Sequence, residues 1–471
     1  MARLGRLNWH GEIIMADVQQ SPTAAPVLRG NVPWLGVLPA LARNPLAVFE
    51  TARPLGDIVQ LAMPGRHPLF VVAAPAHIRQ VLQENNANYR RTPFHDRLKA
   101  VMGEGLVTSD GELWQRQRRL LQPAFRAERI RRFVESMAIA AAELAARWRN
   151  AADTGQVLDV SREMSDLTLD IAVRCMFGQE QRGGDAAISA AVHAAQHWLS
   201  GRFWSLAPNW TERLPTPANR RFRQALATLD AAVGTIIAAR LSAGEKGDDL
   251  LGMLLAAQEE CAGSDTRQVR DEVMTMLLAG HETSAAALTW IWYLLACHPE
   301  VADAVRAEIA CTLGGPRAPG PDDLDRLDLS RAVIQESMRL YPPIGWFGRL
   351  AAGPDRLGAH RVPQGAILAL SPWLVQRDPR FWPEPERFDP ARFTPGARPA
   401  PYTYFPFGGG TRTCLGNHFA MTEMLVALTV LMPRFRLRHA AGTSVRPELR
   451  VTLRPAGGLP MVVERLPAAN D

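Results

Sequence analysis

The stretch from Val273 to Cys297 constrains the fold of this chain more than any other part of the sequence. Its residues are mostly small or aliphatic on every helical face, and a helix that is apolar all round must be covered on all sides. His281 and Glu282 interrupt the apolar run, which argues against a membrane span. The sequence therefore predicts a helix buried through the centre of the protein.

The bulk composition is that of a large globular protein and excludes disordered and collagen-like classes. Of the 471 residues, 47% are hydrophobic and 21% are charged, which are the proportions of an ordinary folded chain. The 53 basic residues are nearly balanced by 47 acidic ones, without a block of like charges. This balance argues against nucleic-acid binding and favours a local basic face for an acidic protein partner.

The cysteines and the start of the chain predict the compartment. The five cysteines are odd in number and lack paired spacing, which indicates a reducing compartment rather than a disulfide framework. The first residues show no apolar signal region. We therefore expect a cytoplasmic monomer without a membrane span. Residues 1–26 show no pattern and are predicted to be a disordered extension, followed by a single domain over residues 27–471.

The secondary-structure pattern has three parts. Residues 56–75 hold two apolar runs around Pro-Gly, which is typical of a β-hairpin. From residue 76 to residue 340, Ala, Leu, Arg and Glu recur at helical spacing. After Tyr341 come short strand-like pieces, a Pro-rich run and one more helix beyond Gly416. The chain is predicted to be mainly α with minor β.

The segment Phe407–Gly416, with the sequence FGGGTRTCLG, admits several chemical interpretations. A dinucleotide fingerprint fails because Thr413 stands where its third glycine belongs, and a P-loop fails because residues 400–424 contain no lysine. Zinc would use Cys414 and His418, but no second Cys/His pair lies at ligand spacing. Counting alone does not exclude a buried, inert thiol.

The neighbourhood of Cys414 favours a metal ligand over an inert thiol. Four glycines allow a tight loop that points backbone N–H groups at the sulfur: Gly408, Gly409, Gly410 and Gly416. The helix that begins near Asn417 favours a thiolate at its N-terminus. A loop that holds a desolvated thiolate is a metal-ligand loop, and a thiolate ligand on haem iron favours cleavage of the O–O bond.

The same segment resembles the cysteine signature of the haem-thiolate monooxygenases, the cytochrome P450 family, which is F-x-x-G-x-R-x-C-x-G. The resemblance covers roughly residues 30–465. It implies a haem b whose iron is ligated by Cys414. It also implies a single triangular, mainly helical fold with a long central helix and a small β region near the N-terminal side.

The hexapeptide AGHETS, residues 279–284, lies inside the predicted central helix. Ala279 and Thr283 share a face, and Gly280 allows a close approach to the backbone. A carboxyl such as Glu282 is costly in an apolar helix unless it is paired or functional. The ordinary explanation is a threonine bonded to its own helix and a glutamate that reaches an outer surface.

The family carries [AG]-G-x-[DE]-T at this place. The resemblance therefore implies that Thr283 hydrogen-bonds dioxygen and that Glu282, with water, relays protons. The residue between Gly280 and Glu282 is assigned no role.

The segment ESMRLYPP, residues 336–343, holds Glu336 and Arg339 at i, i+3 spacing, where they can pair on a helix. An isolated E-x-x-R is most often a surface ion pair. Followed by LYPP, it resembles the E-x-x-R segment of the family. That resemblance implies a structural pair with a third partner downstream, for which Arg392 is the candidate and Arg387 its rival.

The segment DGELWQRQRRLLQPAF, residues 110–125, places Trp114 and Arg118 on one helical face. A solvated basic helix with a buried tryptophan is the ordinary explanation. The family's W-x-x-x-R implies instead that both contact a haem propionate, with Arg412 and Arg349, since guanidinium–carboxylate pairs anchor such groups. The resemblance adds four further haem contacts: Phe407, Gly408, Gly416 and Ala279.

The substrate-facing residues are predicted by position only. They come from residues 93–107, residues 197–210, the central helix, the IGWF segment and a C-terminal turn, and the specific candidates are Met276, Ala279, Gly280, Ile344, Trp346, Phe347 and Leu459. Each aromatic taken singly is more often core. Together they predict a large apolar pocket for a hydrophobic substrate such as a terpenoid, a fatty acid or a macrolide-like intermediate.

The resemblance implies a monooxygenase that inserts one atom of dioxygen into a hydrophobic small molecule by hydroxylation or epoxidation, in secondary or lipid metabolism. Electrons from NAD(P)H are expected through a separate reductase and a ferredoxin or flavodoxin, docked in part by Arg116 and Arg119. A peroxide-dependent or isomerising haem-thiolate enzyme is an alternative, against which the Glu282–Thr283 pair counts. A haem-binding sensor is another, although it would not need filled catalytic positions.

Overall fold

The computed structural model describes residues 16–17, 24–30, 32–178, 186–203, 209–244, 247, 249–259 and 266–467. Most of the extension predicted to be disordered, residues 1–26, lies outside these residues. Its described part includes Ala16–Asp17, which pairs antiparallel with Val27–Leu28. Residues 204–208 of the aromatic-rich segment also lie outside the described residues.

Helices form most of the described chain, as the sequence predicts. In chain order they are α1 (Leu38–Arg43), α2 (Pro45–Ala52), α3 (Pro75–Arg79), α4 (His95–Met102), α5 (Gly111–Leu121), α6 (Ala127–Ile130), α7 (Val134–Thr154), α8 (Val160–Phe177), α9 (Ala186–Phe203), α10 (Pro217–Ala243), α11 (Leu250–Glu259), α12 (Thr266–Cys297), α13 (Pro299–Leu313), α14 (Pro321–Leu324), α15 (Asp328–Leu340), α16 (Pro372–Val375) and α17 (Asn417–Leu431).

The strands are short and lie towards the two ends of the chain. They are β1 (Ala16–Asp17), β2 (Val27–Leu28), β3 (Ile58–Leu61), β4 (Leu69–Val72), β5 (Tyr89–Arg90), β6 (Val157–Asp159), β7 (Phe347–Ala351), β8 (Asp355–Leu357), β9 (His360–Val362), β10 (Ile367–Leu370), β11 (Phe435–His439), β12 (Pro447–Leu449), β13 (Leu453–Pro455) and β14 (Pro460–Arg465).

The largest sheet has the order β1-β2-β3-β4-β10-β7-β5. The predicted hairpin is confirmed as β3 and β4, which pair antiparallel with Ile58 opposite Val72. At the other edge β5 pairs antiparallel with β7, with Arg90 opposite Leu350. This register brings the residue after β5, Arg91, beside Arg349 of β7, although the two are far apart in sequence.

The predicted central helix is confirmed as α12. It packs against α8, α15, α17 and α4, and its apolar side chains are buried, including Leu288, Ile291 and Trp292. The helix is covered by other helices on several sides because its side chains are apolar on nearly every face.

One described helical segment, Pro217–Ser242 within α10, is long and apolar enough by length and composition to cross a membrane. In the structure α10 packs against α9, and one of its faces is buried through Leu229, Val233 and Ile237. A core helix of a soluble protein passes the same test of length and composition. The absence of a membrane span stays a prediction.

Glu336 and Arg339 form the buried pair that the ESMR segment predicts. Both side chains have 0% exposure, and their contact is bidentate, with N–O distances of 2.6 and 2.8 Å. The nearest atoms of Arg392 and Glu336 are 3.6 Å apart. Arg387 instead pairs with exposed Glu384, and only its backbone carbonyl accepts from Arg339. The geometry thus favours Arg392 over Arg387 as the third partner.

Replacing Arg339 with methionine is expected to destabilise the protein by about 3–5 kcal/mol, because it leaves the buried Glu336 carboxylate without its main partner. Urea unfolding followed by circular dichroism measures this effect. The matched control is Arg387→Met, which breaks an exposed Glu–Arg pair of the same i, i+3 spacing and should cost at most about 1 kcal/mol. Equal losses in the two variants would contradict a structural role for the buried pair.

Candidate active site

A cavity of about 430 Å³ lies between α12, α5, β7 and the loop that carries Cys414. It brings together most of the predicted site residues, which all contribute to its wall: Trp114, Arg118, Met276, Ala279, Gly280, Glu282, Thr283, Ile344, Trp346, Phe347, Arg349, Phe407, Gly408, Arg412, Cys414 and Gly416. Residues of the predicted 93–107 loop also line it, among them Phe94, Leu98 and Leu106.

The loop before α17 holds Cys414 in a tight turn. The Cys414 N–H donates to the Phe407 carbonyl at 2.8 Å, which closes the loop on itself. Gly410 has a φ of +65°, and a Cβ at this position would lie 1.8 Å from the Leu82 carbonyl oxygen. Glycine is therefore required there by both the backbone conformation and the close approach of a neighbouring turn.

The surroundings of the Cys414 thiol act on its ionisation in opposite directions. Burial raises its pKa, whereas the backbone N–H of Gly416 and the Arg118 guanidinium both lower it. The thiol nevertheless opens onto the cavity and onto a second, outer cavity lined by Arg118, Gln122 and Arg126. A metal ion in the cavity would favour the thiolate form.

A cationic edge borders the cavity on the α5 side. The Trp114 ring lies close to two guanidinium groups, with the Cζ of Arg412 4.1 Å and that of Arg118 5.7 Å from its centroid. Asp110, which also caps α5, forms an ion pair with Arg412. Burial lowers the pKa of Arg118 and of Arg412.

Arg91 and His95 complete this edge. Arg91 is not among the residues predicted from the sequence, and His95 is predicted only as part of the substrate-facing segment 93–107. Burial and the nearby Arg349 and Arg412 guanidiniums lower the pKa of Arg91 well below its usual range, and its buried Nε has no hydrogen-bond partner among the described residues. His95 Nε2 lies 3.3 Å from Arg91 Nη1. No sequence spacing signals that Arg91 lies beside Arg349, because this approach arises from the pairing of β5 with β7.

The acid–alcohol pair of α12 faces the same cavity. The Thr283 hydroxyl donates to the Ala279 carbonyl of its own helix at 2.9 Å. This is the contact expected of a threonine with a purely structural role. Glu282 does not reach an outer surface: it is buried from bulk solvent and its accessible surface lies on the cavity wall. Burial raises the pKa of Glu282, partly offset by the hydroxyl of Thr452, which donates to its carboxylate at 2.8 Å.

Leu459 does not line the cavity, so the prediction that it faces the substrate is wrong. It is fully buried in the core, where its N–H donates to Asp159 and its carbonyl accepts from Val160. The C-terminal turn that reaches the cavity is the earlier one between β12 and β13, through Val451 and Thr452. The pairing of β14 with β6 holds Leu459 away from the cavity.

A family model described as Cytochrome P450 matches residues 23–459 of the chain, which is most of its length. The chain belongs to the cytochrome P450 family.

Known relatives agree with this assignment. The chain is 36% identical to cyclooctatin synthase of Streptomyces melanosporofaciens, over 94% of this chain and 95% of that protein. It is also 36% identical to cyclooctat-9-en-7-ol 5-monooxygenase of the same organism, over 94% and 96%. Pentalenene oxygenase of Streptomyces avermitilis is 33% identical over 93% and 96%. This cytochrome P450 is therefore a monooxygenase.

Solved structures support the fold. The crystal structure of the cytochrome P450DA heme domain superposes with a TM-score of 0.84 at 27% identity, covering 94% of this chain and 98% of that one. The chain thus has the cytochrome P450 fold, mainly helical with small sheets, as predicted.

The family implies haem, and the cavity of this cytochrome P450 fits the group. Its cationic edge contains four guanidiniums, of which those of Arg91, Arg349 and Arg412 lie near the Asp110 carboxylate. This excess of positive charge calls for anions such as propionates. The unpartnered Nε of Arg91 is consistent with such a ligand. The residues that would hold the haem are Cys414 at the iron and Arg91, Arg118, Arg349 and Arg412 at the propionates. Haem supplies the activation of dioxygen when bound.

Behind the cavity, α17 of this cytochrome P450 carries a buried carboxyl group, Glu423. Burial raises its pKa from the ordinary 4.5 to about 8, near the Ser284 hydroxyl of α12. Neither carboxyl oxygen has a hydrogen-bond partner among the described residues. The folded protein therefore holds Glu423 protonated over a range of pH in which the unfolded chain ionises it.

Glu423→Gln is expected to remove a pH-dependent part of the stability. The pKa of Glu423 is higher in the folded protein than in the unfolded chain. The stability that the protonated carboxyl contributes is therefore complete below about pH 4.5 and is lost as the pH rises to about 8. Wild type should lose about 1.4 kcal/mol per pH unit relative to the variant in that window. Urea unfolding at several pH values measures it. Exposed Glu300→Gln is the control, and parallel pH curves for wild type and Glu423→Gln would refute the prediction.

Proposed function

We propose that this cytochrome P450 hydroxylates or epoxidises a terpenoid. The observation that carries the proposal is that one cavity combines Cys414, the Glu282–Thr283 pair and apolar walls that include Met276 and Ile344. Apolar walls bind a hydrocarbon skeleton by excluding water from it. The names of the relatives, cyclooctat-9-en-7-ol 5-monooxygenase and pentalenene oxygenase, support a terpenoid over a fatty acid or a macrolide-like intermediate.

The proposed reaction uses dioxygen as co-substrate, with protons supplied through α12. Glu282 holds an exchangeable proton at its carboxyl oxygens on the cavity wall, and Thr283 presents its hydroxyl one residue further along the same helix. A peroxide-dependent or isomerising enzyme would not require this pair, so its presence in the cavity supports oxygen activation.

The proposal is tested by adding candidate substrates to the haem-loaded ferric protein and recording its absorption spectrum. Cyclic terpene hydrocarbons and terpene alcohols are expected to convert the haem from low to high spin, because they displace water from the cavity. Long-chain fatty acids and macrolactones of similar hydrophobicity are the comparison compounds. A spin shift with fatty acids alone would overturn the assignment of the substrate class.

The proposed electron donors are a ferredoxin or flavodoxin and its reductase, which pass on electrons from NAD(P)H. Arg116 and Arg119 of α5 are exposed, and the neighbouring Arg118 lines the outer cavity beside Cys414. A basic surface at this place would attract an acidic protein and shorten the electron path.

Reversing both charges, with Arg116→Glu and Arg119→Glu, is expected to slow haem reduction by a ferredoxin about tenfold at low salt, because steered association depends on complementary charge. Stopped-flow reduction measures the rate, and the substrate-induced spin shift should stay unchanged. Arg221→Glu with Arg223→Glu, two exposed positions on α10, is the matched control. Equal slowing by both pairs would argue against docking on α5.

A further inference from the structure

His281, the residue of AGHETS without an assigned role, is fully enclosed between helices. It is 1% exposed, and burial lowers its pKa to about 4, so the ring is neutral at ordinary pH. Its Nδ1 lies 2.7 Å from the Leu277 carbonyl. Because a carbonyl can only accept, Nδ1 carries the proton and Nε2 is left as an acceptor.

Gln196 of α9 meets that acceptor. Its Nε2 lies 2.7 Å from His281 Nε2 and 3.4 Å from Glu282 Oε2. Both neighbours are acceptors when Glu282 is ionised, so the amide must turn its NH₂ group towards them. The opposite orientation would place the amide oxygen against a ring lone pair and a carboxylate. His281 thus determines which end of the Gln196 amide faces Glu282.

The other carboxyl oxygen of Glu282 accepts a hydrogen bond from a different element. Thr452, in the turn between β12 and β13, donates its hydroxyl to Oε1 at 2.8 Å. Two elements other than α12 therefore donate hydrogen bonds to the Glu282 carboxylate: the helix α9 and the turn between β12 and β13.

The charged and titratable groups around this cluster come from three elements. Arg454 of β13 acts on Glu282. Asp166 of α8 and His193 of α9, which are 2.9 Å apart, act on His281 from the other side.

We propose that His281 and Gln196 are positioning residues for Glu282: His281 fixes the orientation of the Gln196 amide, and the amide anchors the ionised carboxylate on the cavity wall. The inference rests on the proposed proton-delivery function of Glu282 and assigns how that carboxyl is controlled.

The anchor distinguishes the two protonation states of Glu282. An amide N–H can donate to a carboxylate but cannot accept a proton from a carboxylic acid. Protonation at Oε2 would place a hydroxyl hydrogen against the amide hydrogen, and protonation at Oε1 leaves Oε2 as a carbonyl oxygen, which is a weaker acceptor than a carboxylate oxygen. Thr452 can serve either state, because a hydroxyl both donates and accepts. Gln196 therefore stabilises the ionised carboxylate of Glu282 more than the acid.

The test is an infrared titration of Glu282 in the haem-loaded ferric protein, with the band identified by its absence in Glu282→Gln. Gln196→Leu removes the donor and Gln196→Asn retracts it by one methylene. Both are expected to raise the titration midpoint by about one pH unit, the effect of one hydrogen bond to a charged group. Gln224→Leu, at an exposed position of the adjacent α10, is the matched control and should leave the midpoint unchanged.

A double-mutant cycle tests the role of His281. His281→Phe fills the volume but offers no acceptor, so the Gln196 amide is free to turn and the midpoint should rise. Because His281 acts through Gln196, the variant with both His281→Phe and Gln196→Leu should shift no further than Gln196→Leu alone. Additive shifts would overturn the proposed route, as would an unchanged midpoint in both Gln196 variants. If His281→Phe does not bind haem, the Gln196 variants still decide whether the anchor exists.

The yield of product per NAD(P)H separates this inference from the proposed function. A midpoint that rises in the Gln196 variants without a change in yield supports the anchor and removes the proton-delivery role of Glu282. An unmoved midpoint, together with a lower yield in Glu282→Gln, leaves the proposed function standing and overturns the anchor.

Discussion

Cys414→Ala is expected to abolish product formation, with a loss of at least about a hundredfold, because it removes the sulfur that ligates the haem iron. Removing a residue that only supports a metal ligand typically lowers activity or metal affinity ten- to a hundredfold. Removing the ligand itself should lower activity further. The electron-donating thiolate also favours cleavage of the O–O bond. The carbon-monoxide difference spectrum of the reduced protein should lose its red-shifted Soret band.

The control for this prediction is Cys311→Ala, which removes an exposed thiol far along the chain from the Cys414 loop. It should keep both the red-shifted band and the activity. Haem content must be measured in each variant, since the four arginines of the cationic edge are expected to retain some haem without the thiolate. A red-shifted band that persists in Cys414→Ala would show that another group ligates the iron.

Thr283→Ala is expected to keep the red-shifted band but to lower the yield of product per NAD(P)H by about a hundredfold, with hydrogen peroxide formed instead. Positioned proton transfer contributes about a hundred- to ten-thousandfold in typical enzymes, and without the hydroxyl the protons are not delivered productively. Product, peroxide and NAD(P)H consumption are measured in the same reaction.

Thr289→Ala is the matched control for the structural explanation of Thr283. Thr289 lies on the same helix, is buried and donates to its own i−4 carbonyl at 2.7 Å, just as Thr283 does at 2.9 Å. It is not among the residues that line the cavity. If bonding to the helix were the whole role of Thr283, both variants would lose stability alike and neither would form peroxide.

The residues with local signals could be predicted from the sequence. The tight turn around Cys414, the helical face shared by Trp114 and Arg118, and the Glu336–Arg339 pair all depend on spacings of a few residues. Such spacings correspond to the period of a helix or the geometry of a single turn.

The residues that depend on the meeting of distant segments could not be predicted in this way. Arg91 joins the cationic edge only because β5 pairs with β7 in one register. Position along the chain predicts Leu459 on the cavity, whereas Thr452 lies there, because the pairing of β14 with β6 keeps Leu459 in the core. The choice of Arg392 over Arg387 likewise depends on how the segment after α16 passes Glu336.

The sequence by itself determined the chemistry of this protein: a thiolate loop, an acid–alcohol pair in a buried helix, and through them the cytochrome P450 family. Only the tertiary structure decided how that chemistry is held, with Gln196 and Thr452 on either side of the Glu282 carboxylate and Arg91 beside Arg349. The physical reason is the distance along the sequence between the residues that interact. Backbone geometry relates residues within a turn or two, whereas the contacts of a buried charge are set by whichever elements pack against it.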